Sequence, residues 1–273
     1  MTLRKTFADF GMKALLRWMA DCKPPVLFER SLRLQPETVE CRRCLFSFPT
    51  AALGDSSTSE VLQICHAMSS PEHLRQSIQR FFRGANHVHF GFEISGSTAI
   101  GKCYLELGPV GSADPNSPRL KFLGFKWSMN DDSVAVVSRY RTLPIQTWDQ
   151  LTQTMQQNIQ GDFQRPLSAL LNRFQPTGDA SLGDLGLLEV EEEGSDRKSY
   201  DLNVYARERS VPAVADSIRT VAASLTCDEA SLESWILSHS EATVGHVAIG
   251  RSRTGHPFVT IYHSADLNAV VLE

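Results

Sequence analysis

The order of helices and strands constrains the fold of this chain more than any other feature of its sequence. Two amphipathic helices followed by two strands occur three times, over residues 57–108, 147–208 and 210–263. The strands alternate apolar and polar side chains, which is typical of a sheet with one buried face. The helices carry apolar stripes at three- and four-residue spacing, so each has one face to bury. We therefore predict an α+β protein in which helix pairs cover one face of an antiparallel sheet.

Five hairpins supply about ten strands. In each hairpin, two runs of strand-forming residues are joined by a turn that contains Gly, Asn, Asp or Ser. One helix, over residues 3–20, precedes the first hairpin, and no helix precedes the third. Ten antiparallel strands backed by helices can form an open sheet or a closed barrel with the helices outside. The hairpins occupy residues 26–48, 87–108, 120–142, 187–208 and 245–263.

Residues 1–273 are expected to form a single domain. The loop-like stretches 109–119 and 175–186 are too short to require two independent units. The helices on either side of the fourth hairpin should pack against the apolar face of the sheet. Their expected core residues are Ile159, Leu170, Val214, Ile218, Val221 and Trp235.

Composition and charge exclude several classes of partner. The net charge is −4 and the pI is about 6.1, which argues against a general affinity for nucleic acid or anionic lipid. No apolar run approaches the roughly 18 residues of a membrane span. The N-terminal stretch lacks the continuous apolar segment of a signal peptide. We therefore expect a cytoplasmic protein with no nucleic-acid partner and no membrane span.

Neither a metal nor a cofactor is predicted. Cys41 and Cys44 lie in a strand-like stretch, where residues three apart point to opposite faces, so reduced thiols are favoured over a metal or redox site. His87 and His89 share one strand face, but no third ligand can be identified for a metal. The chain has no phosphate-binding glycine loop and no dinucleotide-binding fingerprint.

The sheet face turned away from the helices is predicted to carry basic and aromatic residues. Lys102 and Tyr104 alternate with apolar residues on one strand, and Tyr262 lies opposite Val259 and Ile261 by the same period of two. Polar residues belong on a solvated face. Basic groups interleaved with aromatic rings are also suited to a pocket for an anion attached to an apolar body. The sequence leaves both interpretations open.

Ten antiparallel strands in hairpins, spaced by pairs of outer helices, resemble the αββα ("ABBA") barrel of aromatic prenyltransferases. The resemblance is one of architecture, covers nearly the whole chain and fits the length of a bacterial member. The absence of a helix pair before the third hairpin departs from the family pattern. The resemblance implies a transferase of bacterial secondary metabolism that binds an allylic diphosphate and an aromatic acceptor inside the barrel. Its partner would be a small, hydrophobic, diphosphate-bearing substrate, and it would need no cofactor.

The resemblance also implies roles for residues of the inner face. Basic residues would neutralise the leaving diphosphate, and tyrosines would bond its oxygens while their rings attract the allyl cation. Glu93 or His89 would take the proton that the acceptor ring loses. A bulge at Gly124 would bring Lys121 and Lys126 to one side of the sheet. The expected substrate-binding residues are Lys102, Tyr104, Lys121, Arg139, Arg141, Tyr205, Arg207 and Tyr262.

A second hypothesis is a non-catalytic accessory or interaction protein of a biosynthetic pathway. Its polar and aromatic sheet face would then dock on a protein partner. An enzyme requires that the basic and aromatic groups converge in one deep cavity, whereas a docking protein requires a flat or shallow patch. Closure of the ten strands into a barrel is therefore the observation that best separates the two hypotheses.

Overall fold

The computed structural model describes residues 12–22, 25–54, 57–108, 117–131, 134–157, 159, 161–176 and 182–264. Their strands form one antiparallel sheet that closes into a barrel, which confirms the α+β class and the closed alternative. The strands are β1 (Leu27–Gln35), β2 (Thr38–Glu40), β3 (Arg43–Pro49), β4 (Ala85–Ser95), β5 (Thr98–Leu107), β6 (Arg119–Ser128), β7 (Ala135–Leu143), β8 (Gly186–Glu192), β9 (Lys198–Asn203), β10 (Val244–Arg251) and β11 (Pro257–Ser264).

Ten strands make up the circumference of the barrel. β2 and β3 follow each other along the chain and both pair with β1, so together they occupy the place of one strand. β1 and β11 close the barrel in antiparallel register, from Glu29 opposite Ser264 to Leu34 opposite Val259. Closure gives each main strand a neighbour on both sides, which removes the exposed edges of an open sheet.

The helices lie outside the barrel. In the described part of the chain they are α1 (Met12–Cys22), α2 (Ser57–Ala67), α3 (Glu72–Phe82), α4 (Trp148–Gln156), α5 (Gln164–Asn172), α6 (Val211–Ser224) and α7 (Glu229–Ser238). Local sequence signals start two of them: Thr147 and Gln150 form the capping box of α4, and Asp228 caps α7. The helix predicted over residues 3–20 is seen as α1, and its residues before Met12 lie outside the described residues.

Two apolar layers separate the helices from the outer face of the sheet. One layer packs α4, α5, α6 and α7 on β8 to β11 and on the end of β1, and the other packs α1, α2 and α3 on β3 to β6. The expected core positions are confirmed, because all six are at most 5% exposed. These are Ile159, Leu170, Val214, Ile218, Val221 and Trp235.

The two ends of the barrel differ in their connections. The hairpin turns lie at one end, here called the upper end, and the links between strands and helices lie at the other, the lower end. β9 is shorter than predicted, ending at Asn203 instead of continuing to residue 208. The N–H of Val204 donates to the carbonyl of Gly245 (2.8 Å), and the chain then turns into a short 3-10 helix, Tyr205–Arg207.

Candidate active site

The barrel encloses a cavity of about 350 Å³ that extends from the upper end into the middle of the lumen. Inner-face side chains line it, because successive residues of a strand point alternately to the helices and to the lumen. Four of the ten expected site residues line this cavity, and the other six lie elsewhere. The four are Glu93, Lys102, Tyr104 and Tyr262.

Six basic side chains surround the upper part of the cavity. They come from β1, β3, β5 and β6, and from the turns that precede β9 and follow β10. Three glutamates share this region with them, so cations outnumber carboxylates and the potential toward the cavity is positive. We call the six the basic cluster: Arg33, Arg43, Lys102, Lys126, Arg197 and Arg253.

Glu93 ties one side of the basic cluster together. Its Oε1 accepts from both Arg43 and Lys102, which lie on the two neighbouring strands. Arg43 is also 3.7 Å from Glu40 and donates from Nε to the hydroxyl of Ser31 (3.2 Å). With a side chain only 6% exposed, Arg43 is held in one geometry by charge-assisted bonds.

Glu192 ties the opposite side together. Its side chain is 7% exposed and accepts from Arg197 (3.1 Å) and Arg253 (2.8 Å), which come from two different hairpin turns. Glu192 thus draws both turns over the upper mouth of the lumen. Arg33 is held differently, with its guanidinium 3.8 Å from the ring centroid of Phe258.

Burial and like charge perturb the cations of the cluster. Burial, reinforced by Arg197, lowers the pKa of Lys126 to about 7. Burial likewise lowers the pKa of Arg33 to about 9 and holds that of Lys102 well below its usual range, with Arg43 adding to both shifts. Crowded, desolvated cations of this kind gain most from a bound anion.

Three tyrosine rings lie below the basic cluster. Tyr104 and Tyr140 meet edge to face with ring centroids 5.7 Å apart, and Tyr262 lines the same cavity from β11. Gly124 makes room for two of the rings, because a Cβ at this position would come within 2.9 Å of Tyr104 and 3.0 Å of Tyr140. Burial raises the pKa of all three phenols, so they are neutral hydrogen-bond donors near pH 7.

Asp201 and His246 form a pair on the β9–β10 side of the lumen. Asp201 lines the cavity, and its Oδ1 lies 3.0 Å from Nδ1 of His246. Burial acts to lower the pKa of His246, but the Asp201 charge outweighs it and raises the pKa to about 9. His246 is therefore an imidazolium near neutral pH, and the pair is ionic.

His89 and Lys121 belong to a separate cluster nearer the lower end. Lys121 lies 2.7 Å from one oxygen of Glu106, and Nε2 of His89 lies 3.6 Å from the other. The nearby His89 imidazole, together with Lys121, lowers the pKa of Glu106 to about 2. The predicted bulge is misplaced by three residues, because the irregular register of β6 falls at Lys121 and not at Gly124.

Arg139 and Arg141 lie outside the lumen. They flank Tyr140, which points into the cavity, so the alternation of β7 turns both arginines to the outer face. There they form ion pairs with glutamates of the chain after and within β8, Arg139 with Glu193 and Arg141 with Glu191.

Tyr205 and Arg207 lie beyond the lower end of β9, in the 3-10 helix that replaces its predicted continuation. Tyr205 is 37% exposed and donates its hydroxyl hydrogen bond to Glu29 (2.5 Å). Its ring packs over Gly245, where a Cβ would overlap it. Neither residue lines the cavity.

Sequence reasoning missed several residues of the basic cluster. Arg33 alternates with the buried Leu32 and Leu34, so the period of two could have placed it in the lumen. Arg197 and Arg253 lie in hairpin turns, where no such period exists. Only the folded chain brings these two arginines to Glu192.

Among the residues that the structure describes, no group of three or more His, Cys, Asp or Glu side chains is arranged to hold a metal ion. In the same part of the chain, no helix has both the length and the apolar character needed to cross a membrane.

The chain resembles known proteins in its fold and not in its sequence. The sequence matches no established protein family and no curated protein. The fold matches 5-dimethylallyltryptophan synthase from Streptomyces coelicolor with a TM-score of 0.62 and 13% identity, over 90% of this chain and 82% of that one. The barrel is an ABBA barrel.

Two further ABBA-barrel structures are similar over most of the chain. PriB, solved as a binary complex with product diphosphate, has a TM-score of 0.60 and 12% identity, with 90% of this chain and 80% of that one covered. AnaPT from Neosartorya fischeri has a TM-score of 0.59 and 12% identity, with 88% and 78% covered. At these identities the similarity establishes the ABBA fold alone.

Proposed function

We propose that the chain is a transferase that binds an allylic diphosphate and an aromatic acceptor together in the lumen of its ABBA barrel. One observation carries the proposal: the basic cluster converges at one end of a cavity in the barrel lumen whose middle is lined by three tyrosines. Such an arrangement matches a ligand with an anionic head and an apolar body.

The upper end would receive the diphosphate. When the allylic C–O bond breaks, negative charge grows on the diphosphate oxygens. Fixed cations that are partly shielded from water stabilise such charge in the transition state at little reorganisation cost. Arg43 and Lys102 are suited to this task, because Glu93 holds both in place. Arg33 and Lys126 would add cations that no glutamate bridges in the same way.

The tyrosine rings would face the allyl fragment. Positive charge on that fragment is attracted to the faces of aromatic rings, and Tyr104, Tyr140 and Tyr262 supply these below the basic cluster. The new C–C bond would form between the allyl carbon and a carbon of the acceptor ring.

The ring proton of the acceptor also needs a destination. Glu93 lines the cavity, but two cations already engage its carboxylate, and His89 lies in the cluster nearer the lower end. We therefore assign Glu93 to positioning the cations, and we assign the proton to the released diphosphate. The step then balances, with one C–O bond broken, one C–C bond formed and one proton transferred.

The structural relatives support this reading of the site. PriB has also been solved with L-tryptophan and dimethylallyl thiolodiphosphate together, so an ABBA barrel of similar shape holds both kinds of ligand at once. The docking hypothesis needs the polar and aromatic face to be available to a protein surface. In this chain that face encloses the cavity, which favours a small-molecule substrate.

Calorimetric titration with dimethylallyl thiolodiphosphate tests the proposal. We expect micromolar binding by the parent, a loss of about 100-fold in Lys102→Met, and no change in Arg141→Met, which removes a cation from the outer face. Mass spectrometry of aromatic acceptors incubated with dimethylallyl diphosphate would then detect the added prenyl group. A folded parent that binds no diphosphate contradicts the proposal and favours the accessory protein.

A further inference from the structure

Asp201 differs from the other carboxylates that line the cavity. The three glutamates at the upper end each contact an arginine or lysine of the basic cluster. Asp201 contacts an imidazole instead, and its side chain is 15% exposed. It lies four residues beyond Arg197 along the chain, roughly 13 Å at the rise of a strand, and so below that arginine.

His246 holds this carboxylate in one orientation. Nδ1 of His246 lies 3.0 Å from Oδ1 of Asp201, and among the described residues it is the one hydrogen-bond partner of the Asp201 side chain. His246 itself packs between two rings, with centroids 5.5 Å from Tyr205 and 6.1 Å from Tyr262. The second oxygen of Asp201 has no hydrogen-bond partner among the described residues, on a side chain that lines the cavity.

The lumen is thus polarised along its axis. Basic side chains surround its upper end, and Asp201 lies at the level of the tyrosines, close enough that its charge adds to the effect of burial on Tyr140 and Tyr262. If the donor's diphosphate occupies the basic cluster, the ligand that meets Asp201 is the acceptor.

We propose that Asp201 selects the acceptor, so that the cavity favours an aromatic acceptor carrying an ammonium or N–H group and disfavours one carrying a carboxylate. His246 is a positioning residue that fixes Asp201. The inference rests on the proposed function in taking the second ligand to be the acceptor. Its physical basis is independent of that: a cation or N–H donor forms a charge-assisted bond with a carboxylate, whereas a second carboxylate is repelled.

Three indoles that differ only in the charge of a short side chain provide the probes. Tryptamine carries an ammonium, 3-methylindole is neutral, and indole-3-acetate carries a carboxylate. Their binding is measured by calorimetry on the parent, both alone and saturated with dimethylallyl thiolodiphosphate. We expect tryptamine to bind about tenfold more tightly than 3-methylindole, and indole-3-acetate about tenfold more weakly.

Asp201→Asn keeps the size of the side chain and removes its charge. It should reduce the range across the three indoles to about threefold or less, while binding of the thiolodiphosphate changes little. Glu191→Gln is the matched control, because it removes a carboxylate from the outer face of neighbouring β8. It should leave the order and the range of the three affinities as in the parent.

His246→Gln tests positioning. In the parent, tryptamine affinity should rise about threefold between pH 7 and 9, as His246 releases its proton and leaves the Asp201 charge less neutralised. The variant keeps a hydrogen-bond donor but has no proton to release, so this rise should disappear. A merely structural role for His246 would lower all three affinities and leave the pH dependence in place.

The outcomes separate the two proposals. Equal or reversed affinities in the parent overturn the inference, as does a ranking that persists in Asp201→Asn or failure of all three indoles to bind. The ranking in the parent needs no variant, so a failure of Asp201→Asn to fold does not block the test. A parent that ranks the indoles as expected but binds no thiolodiphosphate contradicts the proposed transferase and keeps the acceptor preference.

Discussion

The upper and lower parts of the lumen are built by the same alternating strands, yet they carry opposite charge. At the upper end, six cations outnumber three glutamates. Toward the lower end the carboxylates are Asp201, Glu106 and Glu29, with His246 and Lys121 as their cationic partners. The alternation of a strand decides only which side chains point inward. The sign of the potential at each level depends on the balance of cationic and anionic side chains that point inward there.

This difference gives a ligand one preferred direction. An anionic head is attracted to the upper end, and a hydrogen-bond donor is attracted to the level of Asp201. The tyrosines lie below the basic cluster at the level of Asp201, where a reacting carbon would be least stabilised by water and most by aromatic rings. Experiments that change the charged residues of one end and leave the other end unchanged test this difference between the two ends.

The largest expected effect is on stability at the upper end. Arg43→Met removes a 6% exposed cation and leaves Glu93, Glu40 and Ser31 short of a partner, so we expect a loss of about 3–5 kcal/mol in the free energy of unfolding. Urea denaturation of the parent and of Arg43→Met measures this loss of stability.

The matched change at the other end is Lys121→Met. Its side chain is 39% exposed where it pairs with Glu106, so water screens the pair and the loss should stay below about 1 kcal/mol. Equal losses in the two variants would mean that the upper pairs are no more buried in solution than the lower one.

The next effect is a pH dependence of stability that comes from the Asp201–His246 pair. The pKa of His246 is raised to about 9 in the folded protein, above its unfolded value of about 6.5. The stabilisation is therefore fully present below pH 6.5 and is lost as the pH rises through 9. We expect about 2–3 kcal/mol to disappear over that window.

Urea denaturation at pH 6, 7.5 and 9.5 follows this loss, and His246→Gln provides the comparison. The variant should be less stable at pH 6 and should show a flatter profile than the parent. If the two profiles run parallel, the pair is not ionic and the lower end is not the negative end of the lumen.

A third effect links diphosphate binding to pH at the upper end. The pKa of Lys126 is lowered to about 7 by burial and by Arg197, and a bound diphosphate would raise it again. Below pH 7 Lys126 already carries its proton. Above pH 7, binding of the diphosphate must be accompanied by uptake of a proton by Lys126. The affinity for the diphosphate should therefore fall by up to about tenfold per pH unit between pH 7 and 9.

Titration of dimethylallyl thiolodiphosphate in two buffers of different ionisation enthalpy measures this proton uptake directly. Lys126→Met should bind more weakly at pH 7 and lose most of the uptake. Uptake that is unchanged in the variant would assign the proton to another cation of the basic cluster, with Lys102 the next candidate because its pKa is also lowered.

The fold was predictable from the sequence because hairpins and helix pairs carry short-range signals. Val259 and Ile261 alternate with Tyr262, and that period alone placed the tyrosine on the side away from the helices, where the cavity lies. The same period failed where arginines flank an inward residue, as Arg139 and Arg141 flank Tyr140. Neither the residue types nor the spacing of Arg139, Tyr140 and Arg141 indicates which face of β7 forms the lumen.

Other parts of the site depend on contacts that no local pattern encodes. Glu192 binds Arg197 in one hairpin turn and Arg253 in another, and the two turns are about sixty residues apart in the chain. Only closure of the barrel brings these turns together. Tyr205 was placed on a strand because its neighbours alternate, but the strand ends at Asn203. Strand ends and turns are therefore where sequence-based assignment of the site fails.

The smallest expected effect compares a phenol inside the barrel with one outside it. Tyr262→Phe keeps the ring in the lumen and removes only its hydroxyl, so the fold should be spared. Binding of dimethylallyl thiolodiphosphate should weaken by roughly 0.5–1.5 kcal/mol, the contribution of one hydrogen bond, if that hydroxyl donates to the diphosphate.

Tyr200→Phe is the control, because its ring lies on the outer face and its hydroxyl bonds to Gln157. Calorimetry should register the first change and not the second. Binding that both variants leave intact would place the diphosphate wholly among the basic side chains, above the reach of the tyrosines.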